Sequence, residues 1–303
     1  MSIFRSGLAR VSLLTCAALA TALALTPASA ARPADSARGH MEVEPLEAAE
    51  AQQFLERVRT QRLQNDFVFR FSFVHLPNRG EDQRYHGELF GAWSTQGPVL
   101  RAVISPEIDR SRLAQAEPVE VLLHAGEEPR IWRKNRQGEI QPVTSEDWSK
   151  PLLQGLVYTA FDLGLPFIYW EDTTFQEARR FRGRSAYFFT ARPPEDQTYE
   201  INGTPIASVE IAFDADFYAL LRARFYDADG DLMRTLNINS FKKLDSGQYI
   251  VRSIDLVDER SRDKTRFSVT AANDQRNLQP ALFDPGHFGD GTPLAGDIPM
   301  EQL

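Results

Sequence analysis

One stretch, Leu152 to Trp170, constrains the fold most, because the long segments around it have the pattern of β-strands and this stretch does not. Its apolar residues recur at three- and four-residue spacings, which is typical of one side of a helix. They are Leu152, Leu153, Leu156, Val157, Phe161 and Leu165. Pro151 stands where a helix start tolerates proline, and Gly164 and Pro166 predict the end of the helix. We predict an apolar helix with an aromatic exit over 167–170, buried against a sheet and lining a cavity rather than filling an ordinary core.

The rest of the chain predicts a second helix and a series of strands joined by short turns, which makes neighbouring strands antiparallel. The helix covers 46–63, where apolar residues recur on one side with Glu and Arg on the other. The strands cover 67–75, 85–93, 99–104, 119–124, 129–134, 139–143, 175–181, 185–191, 208–213, 221–226, 232–241, 249–257 and 265–272. This order predicts a mainly β (α+β) fold, a single large curved antiparallel sheet with the helices packed in its concave side.

The first predicted strand carries four phenylalanines at alternate positions, so that all four point to one face. They are Phe67, Phe69, Phe71 and Phe73. On the next strand Gly87 and Gly91 alternate with larger residues, which allows a close approach or a bend. Plain core packing and the lining of a cavity explain this aromatic face equally well.

The first thirty residues have the three parts of a secretory signal peptide: a basic start at Arg5 and Arg10, an apolar run over 11–25, and a small-x-small cleavage site at 28–30. Cleavage after Ala30 would leave a flexible polar arm at 31–45, one domain at 46–290 and a tail at 291–303. A membrane anchor is the weaker alternative, because the apolar run is short for a span.

Cleavage would also remove Cys16, the only cysteine, so the exported protein would have no disulfide. Lipidation at Cys16 is a weaker alternative, since Thr15 fits poorly in a lipobox. The formal net charge of −8 argues against nucleic acid as a partner. We expect a soluble protein of the periplasm.

Catalytic and metal-binding signatures are lacking in the sequence: it has no G-x-S-x-G, no H-E-x-x-H and no Walker loop, so we expect no enzyme activity and no cofactor. His75 and His86 could face each other across the first hairpin, but no third ligand accompanies them. The run from Asp227 to Asp231 has its glycine too early for a calcium loop and predicts an acidic turn. Asp162 could bind a polar headgroup, although capping or pairing with an arginine is the better account.

The order of these features resembles the outer-membrane lipoprotein-sorting family, the LolA-like and LolB-like periplasmic carriers. The resemblance rests on Leu152-Leu153-x-Gly155-x-x-Tyr158-Thr159-x-x-Asp162-Leu163-x-x-Pro166-Phe167, on Arg182-Gly183-Arg184 and on Tyr226-Asp227-x-x-Gly230. It covers about 46–288 and implies an incomplete β-barrel whose helices form a lid over a hydrophobic cavity for lipid or lipoprotein acyl chains. An inner-membrane transporter and an outer-membrane acceptor would then be partners.

The resemblance also implies which side chains line that cavity. The candidates are Phe67, Phe69, Phe71, Phe73, Leu89, Trp93, Leu152, Leu153, Leu156, Val157, Phe161, Phe167 and Trp170. Arg70 alternates with the phenylalanines and is expected on the opposite face, so it does not match the lipid-gating arginine of the family. The alternative function is that of an envelope sensor or scaffold that binds a partner protein such as a membrane transporter. A cavity filled by its own side chains would favour this alternative, and a continuous apolar tunnel would favour a carrier.

Overall fold

The computed structural model describes residues 43–95, 97–107, 118–126, 128–134, 138–144, 147–153, 156–288, 295–296 and 298–303. The predicted signal peptide and most of the predicted arm lie outside the described residues. Among the described residues, no helix combines the length and the apolar character that a membrane crossing requires.

A single antiparallel sheet of 14 strands forms the body of the described chain. Its strands, together with the small separate hairpin β9–β10, are β1 Asp66–Leu76, β2 Gln83–Ser94, β3 Gly97–Pro106, β4 Val119–His124, β5 Arg130–Lys134, β6 Ile140–Pro142, β7 Thr173–Phe181, β8 Arg184–Ala191, β9 Glu200–Ile201, β10 Thr204–Pro205, β11 Ser208–Asp214, β12 Leu220–Tyr226, β13 Leu232–Lys243, β14 Tyr249–Asp258, β15 Lys264–Arg276 and β16 Glu301–Gln302. Every predicted strand coincides with one of them, and β9–β10 lies in a region predicted to be a loop.

The strand order is β6-β5-β4-β3-β2-β1-β15-β14-β13-β12-β11-β8-β7, with β16 paired to β15. The two halves of the chain meet where β1 pairs with β15, from Asp66 opposite Arg276 to Leu76 opposite Lys264. The outermost strands β6 and β7 do not pair with each other, so the sheet is open. The mainly β fold and the incomplete barrel are therefore confirmed.

Helix α1, Ala48–Thr60, lies against the inner face of β8 and β11. A capping box between Glu47 and Glu50 starts it. Its buried residue Phe54 contacts the rings of Phe189 and Phe213 at 5.8 and 6.1 Å between centroids. The predicted helix over 46–63 is confirmed.

The second predicted helix is wrong over its first half. Helix α2 covers only Ala160–Gly164 and is followed by a 3₁₀ turn at Pro166–Ile168. Ahead of it, Pro151 and Thr159 form an antiparallel bridge, and the amide of Leu152 donates to the carbonyl of Tyr158 at 2.9 Å. The apolar spacing of the residues before Thr159 therefore indicates burial and not a helix.

The start of α2 is fixed by a capping box. Thr159 has an extended backbone, its hydroxyl accepts from the amide of Asp162, and the Asp162 carboxylate accepts from the amide of Thr159 at 2.8 Å. Leu165 ends the helix in the left-handed conformation, φ 45°. The predicted end at Gly164 and Pro166 is confirmed.

Residues 278–300, of which 289–294 and 297 lie outside the described residues, are called the C-terminal segment. The described part of this segment packs on the outer face of β1 to β5. Phe283 and Phe288 of this segment pack with Val68, Phe90 and Leu122 of the sheet. The inner face holds the main core, in which both helices take part.

Candidate functional site

Residues 151–170, of which 154 and 155 lie outside the described residues, are called the plug, and the described part of the plug occupies the concave side of the sheet. Phe161 and Phe167 of the plug both contact the ring of Phe225 on β12, at 5.8 and 5.3 Å between centroids. Trp170 contacts Tyr199 at 5.4 Å. Aromatic side chains of the plug, of β12 and of the residues that precede β9 therefore contact one another.

An ion pair joins α2 to the sheet beneath this surface. Asp162 accepts two hydrogen bonds from Arg234 Nη1 on β13, at 2.9 and 3.2 Å, and its side chain is 0% exposed against 3% for Arg234. The Thr159 hydroxyl donates to the same carboxylate at 2.7 Å. Because a buried carboxylate without a partner is costly, these contacts hold α2 on β13. The two predicted roles of Asp162, capping the helix and pairing with an arginine, are thus confirmed.

Further polar contacts hold the two ends of the plug. Arg59 of α1 donates to the carbonyls of Ile168 and Trp170 at 2.9 and 3.1 Å. At the other end, the amide of Val157 donates to Thr265 Oγ1 of β15 at 3.3 Å. The plug is therefore tied to the inner sheet and to α1 at separate points.

All thirteen candidate residues lie together in the inner core. Trp93, Leu153 and Val157 are half-buried against it, and the other ten are buried. The rings of Phe67 and Phe69 lie 4.4 Å apart, and Phe73 lies 4.8 Å from Tyr158 of the plug. The candidate wall is thus in contact with itself and with the plug.

The two strand glycines make room for these rings. A Cβ atom on Gly91 would lie 2.0 Å from the ring of Phe67, and one on Gly87 would lie 2.4 Å from the ring of Phe71. The close approach predicted from the sequence is therefore made by phenylalanines of the neighbouring strand.

Two small pockets open beside candidate residues. One, of about 240 Å³, is bordered by Leu156, Val157, Thr159 and Arg234. The other, of about 210 Å³, is bordered by residues that include Phe67 and Trp93. The first pocket borders the plug, whereas the second lies between the residues that join α1 to β1 and strand β2.

The first hairpin does not bring its histidines together. His86 lies opposite Ser72, on the outer face, whereas His75 points inward and its Nδ1 lies 3.0 Å from Thr265 Oγ1. Burial lowers the pKa of His75, which favours the neutral ring. No group of three or more potential metal ligands occurs among the described residues.

Two further predictions concern charged residues. Arg70 lies on the outer face, where it pairs with Glu88 at 3.2 Å, as predicted. Asp227 forms the predicted acidic turn, because its carboxylate accepts from the amides of Asp229 and Asp231 at 3.1 and 2.9 Å.

Sequence reasoning missed Arg234 and the rings of Tyr199 and Phe225. A signal for Arg234 was present, since it alternates with Leu236 and Ile238 on the inner face of β13. A single arginine in such an apolar alternation indicates a buried charge that needs a carboxylate partner. Nothing local marks Asp162, 72 positions away, as that partner.

No protein-family model matches the chain, and no curated protein matches it. Solved structures do match. A domain from Vibrio parahaemolyticus, whose description assigns it to outer membrane lipoprotein sorting, superposes with a TM-score of 0.61 at 14% identity, over 74% of this chain and 92% of its own. A LolA superfamily protein from Nitrosomonas europaea superposes with a TM-score of 0.54 at 13% identity, over 77% and 97%. The fold is LolA-like.

A third similar structure is a DUF1329 family protein from Desulfovibrio piger, with a TM-score of 0.61 at 14% identity, over 76% of this chain and 92% of its own. The LolA-like fold is thus common to the three. At these identities the likeness concerns the fold alone. The aromatic side chains of the plug and the Asp162–Arg234 pair are features of this chain.

Proposed function

We propose that this protein is a periplasmic carrier or binding protein that holds lipid or lipoprotein acyl chains on the concave side of its sheet and serves outer-membrane lipoprotein sorting. The observation that carries the proposal is the plug, a nearly apolar segment seated on an aromatic concave face. In this proposal the chain is exported by its signal peptide, cut after Ala30, and exchanges cargo between an inner-membrane transporter and an outer-membrane acceptor.

Binding of this kind needs apolar surface and no reactive group. Each methylene of an acyl chain gains about 0.8 kcal/mol when it leaves water. The thirteen candidate side chains supply such a surface once part of the plug moves aside. The LolA-like fold supports a carrier without catalysis.

The polar contacts indicate which part of the plug moves. Lifting α2 would leave Arg234 and Asp162 without each other in an apolar core, which is strongly unfavourable. Residues 151–158 carry no charged side chain, so moving them separates no ion pair. Their described part is held by the bridge between Pro151 and Thr159, by the bond from Val157 to Thr265 and by a bond from Arg133 Nη2 to the carbonyl of Leu152 at 2.9 Å. We therefore expect residues 151–153 and 156–158 to open beside the 240 Å³ pocket while α2 stays in place.

A reversible cross-link tests this opening. The variant Val157→Cys with Thr265→Cys, made in the mature chain, places two cysteines where the backbone amide of Val157 lies 3.3 Å from Thr265 Oγ1. We expect the oxidised form to lose uptake of a fluorescent fatty-acid probe and the reduced form to regain it. The matched control is Ser253→Cys with Ser268→Cys, a pair opposite each other on β14 and β15. Unchanged uptake in the oxidised test variant would refute opening at 151–158.

A second candidate function is that of a sensor or scaffold for a partner protein in the envelope. The observation that favours it is the filled concave core, in which candidate residues contact one another. In that case the probe would not enter either redox form, and an envelope protein such as a transporter would bind the outside of the sheet.

A further inference from the structure

A further pocket lies away from the plug, at a place where the sheet splits. Strands β12 and β13 pair from Tyr226 opposite Leu232 to Arg222 opposite Asn237. Beyond Asn237, β13 pairs only with β14, as far as Lys243 opposite Tyr249. The register of that pairing shifts between Ile238 and Ser240 and again between Ser240 and Phe241. The two strands therefore separate, and a cleft of about 370 Å³ opens between them, which we call the β12–β13 cleft.

The walls of the β12–β13 cleft are mostly apolar and aromatic. They are formed by Phe181, Phe217, Ala219, Leu221, Ile238, Phe241 and Tyr249. Pockets for small ligands have volumes of about 300–1,000 Å³, apolar walls and a few convergent polar groups. The cleft meets these conditions at the lower end of the size range, so it suits a small ligand or one short chain.

The charged groups that line the cleft are Arg182, Arg184 and Asp214. Arg184 pairs with Asp214 at 2.9 Å, so these two charges offset each other. Arg182 donates only to neutral acceptors, the carbonyl of Ile238 at 3.0 Å and the side-chain oxygen of Asn237 at 3.1 Å. No ion pair joins Arg182 to a carboxylate within the described chain. The lining thus carries one positive charge in excess.

Arg182 also has a backbone conformation that is unusual for arginine. Arg182 and Gly183 form the two-residue turn between β7 and β8, with φ values of 48° and 83°. Turns with both central φ values positive prefer Asn-Gly, because a larger side chain is strained there. The chain carries arginine at this position, and the guanidinium reaches across the turn to the free edge of β13.

We propose that the β12–β13 cleft binds a small amphipathic anion, an aliphatic chain with a single carboxylate, and that Arg182 recognises the carboxylate. The aliphatic part would lie on the aromatic walls. A bare anion would gain nothing from those walls, and a neutral chain would bring no negative charge to Arg182. This inference goes beyond the proposed function, since the cleft needs no movement of the plug.

The variant Arg182→Asn tests the proposal without threatening the fold, because asparagine suits this turn better than arginine. Its matched control is Arg180→Asn, an exposed neighbour on β7 that does not line the cleft. The probes are decanoate, decanol and acetate, measured by titration calorimetry on the mature protein. We expect decanoate to bind at least tenfold more tightly than decanol or acetate, and Arg182→Asn to lose about 10- to 100-fold in decanoate affinity. Arg180→Asn should bind decanoate as the unaltered protein does.

The disulfide-locked plug separates this site from the concave site. With Val157→Cys and Thr265→Cys oxidised, decanoate binding that depends on Arg182 should persist even though uptake of the long-chain probe is lost. Equal decanoate affinity in Arg182→Asn and the unaltered protein, equal affinity for decanol, or no decanoate binding at all would each overturn the proposal. Loss of all decanoate binding in the locked form would place the ligand under the plug and would overturn it too.

Discussion

The plug and the C-terminal segment each cover one face of the sheet, and each lies over a buried ion pair. Under the C-terminal segment, Arg101 pairs with Glu120 at 2.9 Å, and both belong to neighbouring strands, β3 and β4. Under the plug, Arg234 belongs to the sheet, but Asp162 belongs to the plug itself. Without the C-terminal segment, Arg101 and Glu120 would still be paired, whereas lifting α2 would separate Asp162 from Arg234.

The two covers therefore differ in what their removal would cost. The carbonyls of Leu282 and Phe288 accept from Arg101 at 3.4 and 3.2 Å, so the C-terminal segment adds to a pair that the sheet completes alone. In the plug, α2 completes the pair, and Arg59 binds the carbonyls of Ile168 and Trp170 beyond it. In the proposed function, α2 is therefore the fixed point and residues 151–153 and 156–158 are the part expected to open.

The largest expected effect comes from breaking the pair that joins plug and sheet. Asp162→Ala should lower the free energy of unfolding by about 3–5 kcal/mol, because it leaves Arg234 buried without a counter-charge. Urea denaturation of the mature protein measures this. The double variant Asp162→Leu with Arg234→Met removes both charges and should regain most of the loss. A loss below about 1 kcal/mol for Asp162→Ala would contradict the role given to the pair.

Glu120→Ala sharpens the comparison as its counterpart on the outer face. It should also destabilise the protein, since it removes the carboxylate that pairs with the buried Arg101 beneath the C-terminal segment. At temperatures where it stays folded, uptake of the fatty-acid probe should be unchanged. An equal loss of uptake in Glu120→Ala would mean that the two faces are not independent.

A smaller effect is expected from overpacking the aromatic wall. Gly91→Ala would place a Cβ atom 2.0 Å from the ring of Phe67, which forces that ring to move. The cost should be about 1–3 kcal/mol of unfolding free energy, by urea denaturation. Adding Phe67→Leu should recover part of it; no recovery would show that the strain lies elsewhere.

Removing the cap of α2 should have a milder consequence. Thr159→Ala loses the hydroxyl that accepts from the amide of Asp162 and donates to its carboxylate, at a cost of about 1 kcal/mol. The exposed Thr60→Ala serves as the control and should stay within about 0.5 kcal/mol of the unaltered protein. Equal losses in the two variants would argue against a special role for the cap.

The smallest expected effect is on pH dependence. Burial holds the pKa of His75 below its ordinary value of 6.5, so the unfolded chain takes up a proton there before the folded one does. The contribution of His75 is therefore fully present above pH 6.5 and declines as the pH falls below it. Urea midpoints at pH 7.5 and 5.5 should differ less in His75→Asn than in the unaltered protein. An identical pH dependence in both would contradict this assignment.

The strands could be predicted from the sequence because alternation and turn residues act locally. The aromatic face of β1 follows from the period of two alone. The first half of the plug could not be predicted in the same way, because its apolar spacing reflects contact with the sheet. The sequence does mark the true start of α2, since Thr159 and Asp162 have the spacing of a capping box. The Asp162–Arg234 pair and the β12–β13 cleft depend on long-range register, which no local pattern records.

Native mass spectrometry of the mature protein, residues 31–303, tests the central claim most directly. The protein is purified gently from a bacterial periplasm, and bound lipids are then extracted and identified. We predict a co-purifying acylated species that the fluorescent fatty-acid probe displaces. A mass with no bound species, together with no binding of the probe, would contradict the claim that this protein holds acyl chains.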